Sequence, residues 1–298
     1  MRLLVIGNGF DIDLGIHTTY KDFFEKTNFG KDSVALGGLE GFLYTKYLRS
    51  NDLNWFDVEE AIAEYVKKKE KPVHKMLVEI DKMQLNNLRD KFYDYVIDNW
   101  TDKSTELWKE PIKPSLAKTL IEKQNRVKCF EKIYSFNCLD YNMLNIASGL
   151  EIESLRDVVY LHGYSNEFIF GIDEEDCKFE DYSFLIKKNQ TNYPIQDVEK
   201  FKCDLLKADE VIIFGHSLNR IDMHYFRQFL LNFANESGQA RRFTIITKDF
   251  LSVEGIKKRI SEYVLDFDKV NQYGTVSFIL ADEYSKNQEF LDRLILKG

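Results

Sequence analysis

A run of apolar residues, Leu3-Leu4-Val5-Ile6, stops at Gly7-Asn8-Gly9. A continuous apolar run bounded by glycine reads as a strand buried on both faces, which is the habit of parallel strands. The pattern returns in the second half of the chain. Ile133-Tyr134-Ser135-Phe136 ends at Asn137, and Val158-Val159-Tyr160-Leu161 ends at His162-Gly163. Phe168-Ile169-Phe170 ends at Gly171, and Val211-Ile212-Ile213-Phe214 ends at Gly215-His216-Ser217. Phe243–Ile246 and Val276–Ile279 continue the series. Helical stretches are expected at 139–148, 195–207, 221–234, 254–264 and 286–296. Strands alternating with helices predict an α/β fold: a doubly wound, mainly parallel sheet covered on both faces.

The first strand stands apart from the others. Between residues 30 and 125 the periodicity is helical, with almost no strand. The expectation is one domain over 1–298 carrying a helical insertion at 30–125. Thr18 or Thr19 suits a helix N-cap, with Phe23 and Phe24 facing inward. Asp57 and Glu60 fit a capping box. From Pro72 to Trp100 apolar residues recur at three and four: Val73, Met76, Leu77, Ile80, Met83, Leu88, Phe92, Tyr95, Val96 and Trp100. That spacing predicts one or two long amphipathic helices.

The chain of 298 residues is 44% hydrophobic, enough for a sizeable core. Its net charge of −8 argues against nucleic acid as the main partner. Cys129, Cys138, Cys177 and Cys203 show no C-x-x-C spacing. Their scatter suits reduced thiols and a cytoplasmic protein with no metal site. The apolar run at 3–6 is too short for a signal peptide, and none reaches the roughly 20 residues of a membrane span.

Ligands of an open parallel sheet bind outside the carboxyl ends of the strands. Gly7-Asn8-Gly9, Asn137, His162-Gly163 and Gly215-His216-Ser217 each follow an apolar run directly. The opening turn resembles that of a dinucleotide-binding half, although Ile12 stands where the fingerprint wants its third glycine. Backbone N–H groups of Gly7 to Phe10 would then hold a pyrophosphate at a helix start. Asp11 and Asp13 read equally as first-turn partners of the helix dipole and as ribose ligands. Ser217 and Asn219 also suit the cap of a helix starting near Arg220, with Asp222 closing a capping box.

These motifs together resemble a known family. Val5-Ile6-Gly7-Asn8-Gly9-Phe10-Asp11, Thr18-Thr19-Tyr20 and Trp55 with Asp57 and Glu59 look like the AbiH family of phage abortive-infection proteins. Ser135-Phe136-Asn137, Leu161-His162-Gly163, Phe170-Gly171 and Phe214–Leu218 with Asp222 follow in that family's order. The same order is similar to the sirtuin-like Rossmann domains of bacterial defence systems. The resemblance implies an anti-phage enzyme that cleaves NAD or a related nucleotide at the N-glycosidic bond. It assigns Asn137 and His162 to catalysis: His162 accepts a proton from a ribose hydroxyl or water, and Asn137 positions it. It assigns Gly7, Asn8, Gly9, Phe10, Asp11, Gly215, His216, Ser217 and Asp222 to the nucleotide. A sirtuin's four-cysteine zinc module is missing from this chain, which speaks against protein deacylation.

Two other readings compete. A non-catalytic nucleotide sensor would use residues 72–100 to meet another copy or a regulatory partner. A serine hydrolase would use Phe214-Gly215-His216-Ser217-Leu218-Asn219 as a nucleophile elbow. That fold needs a histidine well downstream, and the last one here is His224.

Overall fold

The computed structural model describes residues 1–50, 57–70, 74–104, 114–141, 157–235 and 242–295. Two compact units emerge. The first holds Met1–Ile16, Thr101–Leu161 and Pro194–Gly298; the second holds His17–Trp100 and His162–Tyr193.

In the first unit, β1 (Arg2–Ile6), β2 (Lys132–Ser135), β3 (Val158–Tyr160), β4 (Glu210–Phe214), β5 (Arg242–Thr247) and β6 (Thr275–Leu280) form one sheet. All neighbours are parallel, in the order β3-β2-β1-β4-β5-β6. This is the order of the doubly wound Rossmann fold, and it reverses between β1 and β4. Leu3, Leu4, Val5 and Ile6 are all buried, so both faces of β1 are covered. The pairing Leu4↔Ile133 and Leu4↔Ile212 seats β1 at the centre.

Among the described residues the α-helices of this unit are α1 (Asn8–Asp13), α6 (Leu116–Val127), α7 (Ile195–Lys207), α8 (Met223–Phe233), α9 (Phe250–Tyr263), α10 (Phe267–Val270) and α11 (Gln288–Ile295). α6 packs on α1 and α11, while α7 packs on α8. Ser115 caps α6 through the Lys118 N–H, and Asp249 caps α9 through the Ser252 N–H. The residues expected to open a helix at 139 form none through 141, and 142–148 lie outside the described residues.

The second unit is helical. α2 (Tyr20–Thr27) starts at Thr19, whose hydroxyl accepts from the Asp22 N–H at 2.9 Å. α3 (Gly38–Arg49) and α4 (Val58–Lys67) follow. α5 (Lys75–Ser104) is one helix and lies in this unit through Trp100. Asp57 caps α4 through the Glu60 N–H, as its spacing predicts. Phe23, Phe24, Phe29, Phe92, Tyr95, Phe168 and Phe170 form a chain of mostly edge-on and tilted ring contacts.

Two expectations are corrected. Phe168–Phe170 is not a strand; an isolated bridge nearby joins Ile172 to Ile186. Its apolar residues are drawn into the aromatic cluster rather than onto the sheet. Along α5 the apolar face is buried only from Leu85 onward; Met76, Leu77 and Met83 stay exposed. The expected partners Pro72 and Val73 and the motif residue Trp55 lie outside the described residues.

Candidate functional site

The exits of β1 and β4 meet backbone to backbone. Gly7 N–H donates to Phe214 O at 2.8 Å and Gly9 N–H to Gly215 O at 2.9 Å. A Cβ on Gly7 would lie 2.5 Å from His216 Cα, and one on Gly9 would lie 2.6 Å from Gly215 Cα. Gly215 has φ +68, where a side chain is strained as well as crowded. The glycines at 7, 9 and 215 thus answer to turn-on-turn packing. This changes the reading of the opening motif as a pyrophosphate cradle. The N–H groups of Gly7, Gly9 and Phe10 are given to Phe214, Gly215 and Gly7 carbonyls, and α1 is only six residues long.

Beside that junction runs a buried polar chain. Asp11, on α1, is fully buried. Tyr141 O–H donates to Asp11 Oδ1 at 2.6 Å, and Asn137 Nδ2 donates to Tyr141 Oη at 2.8 Å. Asn137 N–H donates to Ser135 Oγ at 3.1 Å. Burial, and then the charge of Asp11, hold the Tyr141 hydroxyl well above its usual pKa, so it keeps its proton and donates. That donation sets the amide of Asn137: Nδ2 faces Tyr141 and Oδ1 is turned away as an acceptor. Tyr160 adds an anchor, accepting from Tyr141 N–H at 2.7 Å. Burial raises the Cys138 thiol far above the range of a neutral-pH thiolate, which removes it as a nucleophile.

His216 and Asp222 are brought together. His216 Nδ1 accepts from Leu218 N–H at 3.0 Å, so its hydrogen sits on Nε2, 3.4 Å from Asp222 Oδ2. The ring packs edge-on against Phe136 at 4.4 Å. This clamp holds Leu218 at φ +49. α8 begins at Met223, three residues later than the expected start near Arg220. Asn219 Oδ1 accepts from Asp222 N–H at 2.8 Å, the bond expected of a cap at that position, but residues 220–222 form a turn that leads into the helix. Ser217 lends its carbonyl to Arg259 at 2.6 Å. His224 Nδ1 lies 2.8 Å from Ile221 O.

The predicted residues therefore divide. Gly7, Asn8, Gly9, Phe10, Asp11, Asn137, Gly215, His216, Ser217 and Asp222 belong to the first unit; His162 belongs to the second. There His162 Nε2 lies 3.2 Å from Lys187 Nζ, which lies 2.9 Å from Glu59 Oε2. The sequence reading missed Tyr141 and Lys187 as site residues. Tyr141 carries a usable signal, four residues after Asn137; Lys187, one of a pair of lysines at 187 and 188, carries none. Glu59 reads as a first-turn acid, yet its side chain is buried.

Fold and site define a Rossmann-like α/β protein with a polar set at the carboxyl edge of its sheet. The family model described as "Bacteriophage abortive infection AbiH" matches residues 3–244. The chain belongs to the AbiH family, and that membership supports a role in abortive-infection defence. No curated protein matches the sequence. A solved structure titled "The Structural basis of Sirtuin Substrate Affinity" is similar with a TM-score of 0.41 and 13% identity, covering 99% of this chain and 93% of that one. A second, titled "The Structural basis for Sirtuin Substrate affinity", has a TM-score of 0.38, again at 13% identity, covering 99% and 94%. Among the described residues no helix is long and apolar enough to cross a membrane.

Proposed function

We propose that this chain is an abortive-infection enzyme that hydrolyses NAD, or a related nucleotide, at the bond between base and ribose. The observation that carries the reading is the Asp11–Tyr141–Asn137 chain at the carboxyl edge of β1 and β2. A buried strand exit has no packing use for an oriented asparagine. Here two hydrogen bonds hold Asn137 in one amide orientation.

In the proposed reaction the C1′–N bond breaks first, and its electron pair leaves with nicotinamide, which departs neutral. Water adds to C1′ of the oxocarbenium ion and releases a proton to solvent. Asn137 Oδ1 accepts a hydrogen from that water and points its lone pair at C1′. The AbiH resemblance is the ground for giving His162 a part in the reaction, at the ribose hydroxyls. The Gly7–Phe10 turn takes no part in holding phosphate through its committed N–H groups.

Purified protein is mixed with NAD and free nicotinamide is measured. Asn137→Ala is expected to lower turnover by about 100-fold, the scale of losing one well-placed polar group. His162→Ala is expected to lower it as well. Tyr141→Phe keeps the ring but releases the Asn137 amide, and should lower turnover by about tenfold with little change in KM. NAD binding without nicotinamide release would favour the sensor instead. Wild-type turnover in both alanine variants would remove these residues from the reaction.

A further inference from the structure

Three features singled out in the sequence have no part in the reaction above: Glu59, Gly163 and Phe170-Gly171. Within the second unit they converge on Lys187. Its ammonium lies 2.9 Å from Glu59 Oε2 and 3.2 Å from His162 Nε2. Lys187 is 2% exposed, and Glu59 and His162 are each 4% exposed. A lysine is almost never buried so fully without a partner.

Separate backbone devices deliver the three side chains. The Asp57 cap starts α4 and puts Glu59 in its first turn. Lys187 N–H donates to Ile172 O at 3.1 Å, and Ile172 N–H donates to Leu185 O at 2.8 Å. Gly171 leaves room for the lysine stem: a Cβ there would lie 3.0 Å from Lys187 Cγ and 2.5 Å from Leu185 O. Gly163 turns at φ +69, and His162 O accepts from Ile169 N–H at 2.8 Å. The His162 ring packs edge-on to Phe168.

An ammonium offers only hydrogens. With Glu59 keeping Lys187 charged, the hydrogen between Lys187 and His162 belongs to the lysine, and Nε2 is a bare acceptor. A neutral imidazole with a bare Nε2 carries its hydrogen on Nδ1. A second positive charge on the ring would face a buried ammonium.

We infer that Lys187, held by Glu59, is a positioning residue that locks His162 as the neutral Nδ1–H tautomer. His162 then meets a ribose hydroxyl as a hydrogen-bond donor, not as the proton acceptor expected from sequence. Only that last step rests on the proposed reaction; the tautomer stands without it.

The test is a long-range proton–nitrogen NMR spectrum of the full chain labelled with 15N-histidine at pH 7. The His162 signals are identified by their loss in His162→Gln. The wild type is expected to show the Nδ1–H pattern. Lys187→Met should shift it to Nε2–H or to an exchanging mixture, and Lys187→Arg should preserve it. Because Lys187→Met leaves a buried carboxylate, the double variant Glu59→Gln with Lys187→Met provides a neutral pair of similar size with the same expected shift. An Nε2–H or doubly protonated ring in the wild type overturns the inference, as does an unchanged tautomer in the double variant. A protein that releases no nicotinamide but shows the Nδ1–H ring defeats the reaction alone.

Discussion

Gly215→Ala is expected to destabilise the protein by about 3 kcal/mol, combining overpacking of roughly 1–3 kcal/mol with about 1 kcal/mol for a left-handed alanine. The new Cβ would lie 2.4 Å from Gly9 Cα and 2.4 Å from Phe10 N. Both are backbone atoms, so no side chain can swing aside. Relief requires the turn after β1 to part from the turn after β4, which breaks the Gly9-to-Gly215 and Gly7-to-Phe214 bonds. Gly255→Ala supplies the control. Its nearest neighbour would be the Arg259 guanidinium at 3.6 Å, in the middle of α9. Alanine there should stabilise by up to about 1 kcal/mol. Urea unfolding of both variants checks the pair. A Gly215→Ala midpoint equal to wild type would mean that the two turns are not packed as described.

The second large effect falls on Asp81, which is fully buried in the helical unit. Its carboxylate accepts from Tyr65 Oη at 2.6 Å, Tyr182 Oη at 2.6 Å and Leu39 N–H at 3.0 Å, and it pairs with Lys69 at 3.2 Å. Burial first, and then the bonds to Asp81, push both tyrosine hydroxyls far above their usual pKa, so both remain donors. The carboxylate also closes the N-terminus of α3, where an anion is favoured. Asp81→Ala leaves three donors and a cation without their acceptor, and should cost about 4 kcal/mol. Hydrogen exchange over residues 17–100 and 162–193 reports it directly. Tyr65→Phe and Tyr182→Phe should each cost about 1 kcal/mol, and should cost almost nothing once Asp81 is gone. Fully additive losses would contradict a shared acceptor.

Much of the sheet is legible in the chain. β1, β4, β5 and β6 lie within two residues of their apolar runs. β1, β4 and β5 are buried nearly throughout, as strands covered on both faces must be, while β6 is a half-buried edge strand. α7 occupies 195–207 as its periodicity predicts, and Thr19 and Asp57 cap helices because a short polar side chain satisfies a free N–H locally. The errors fall where a local pattern has two uses. Phe168–Phe170 looks like a strand, but its rings serve an aromatic cluster built from α2 and α5. Gly7-Asn8-Gly9 looks like a phosphate turn, but Gly215, far along the chain, takes the space and the N–H group. Of the candidate site, Asn137 and His162 are visible as polar residues after apolar runs. Tyr141 stands only four residues after Asn137, whereas Lys187 is an ordinary residue until the fold brings it within hydrogen-bond reach of His162.

Periodicity and local capping thus settled most strands and helices in the sequence, since both depend on neighbours a few residues apart; Phe168–Phe170 and the residues from 139 to 141 are the exceptions. Strand order, the meeting of Gly9 with Gly215, and the partners of Asn137 and His162 were decided by tertiary structure alone. Those contacts join residues separated by up to about two hundred positions, and neither composition nor spacing records which glycine packs on which turn or which side chain meets which partner.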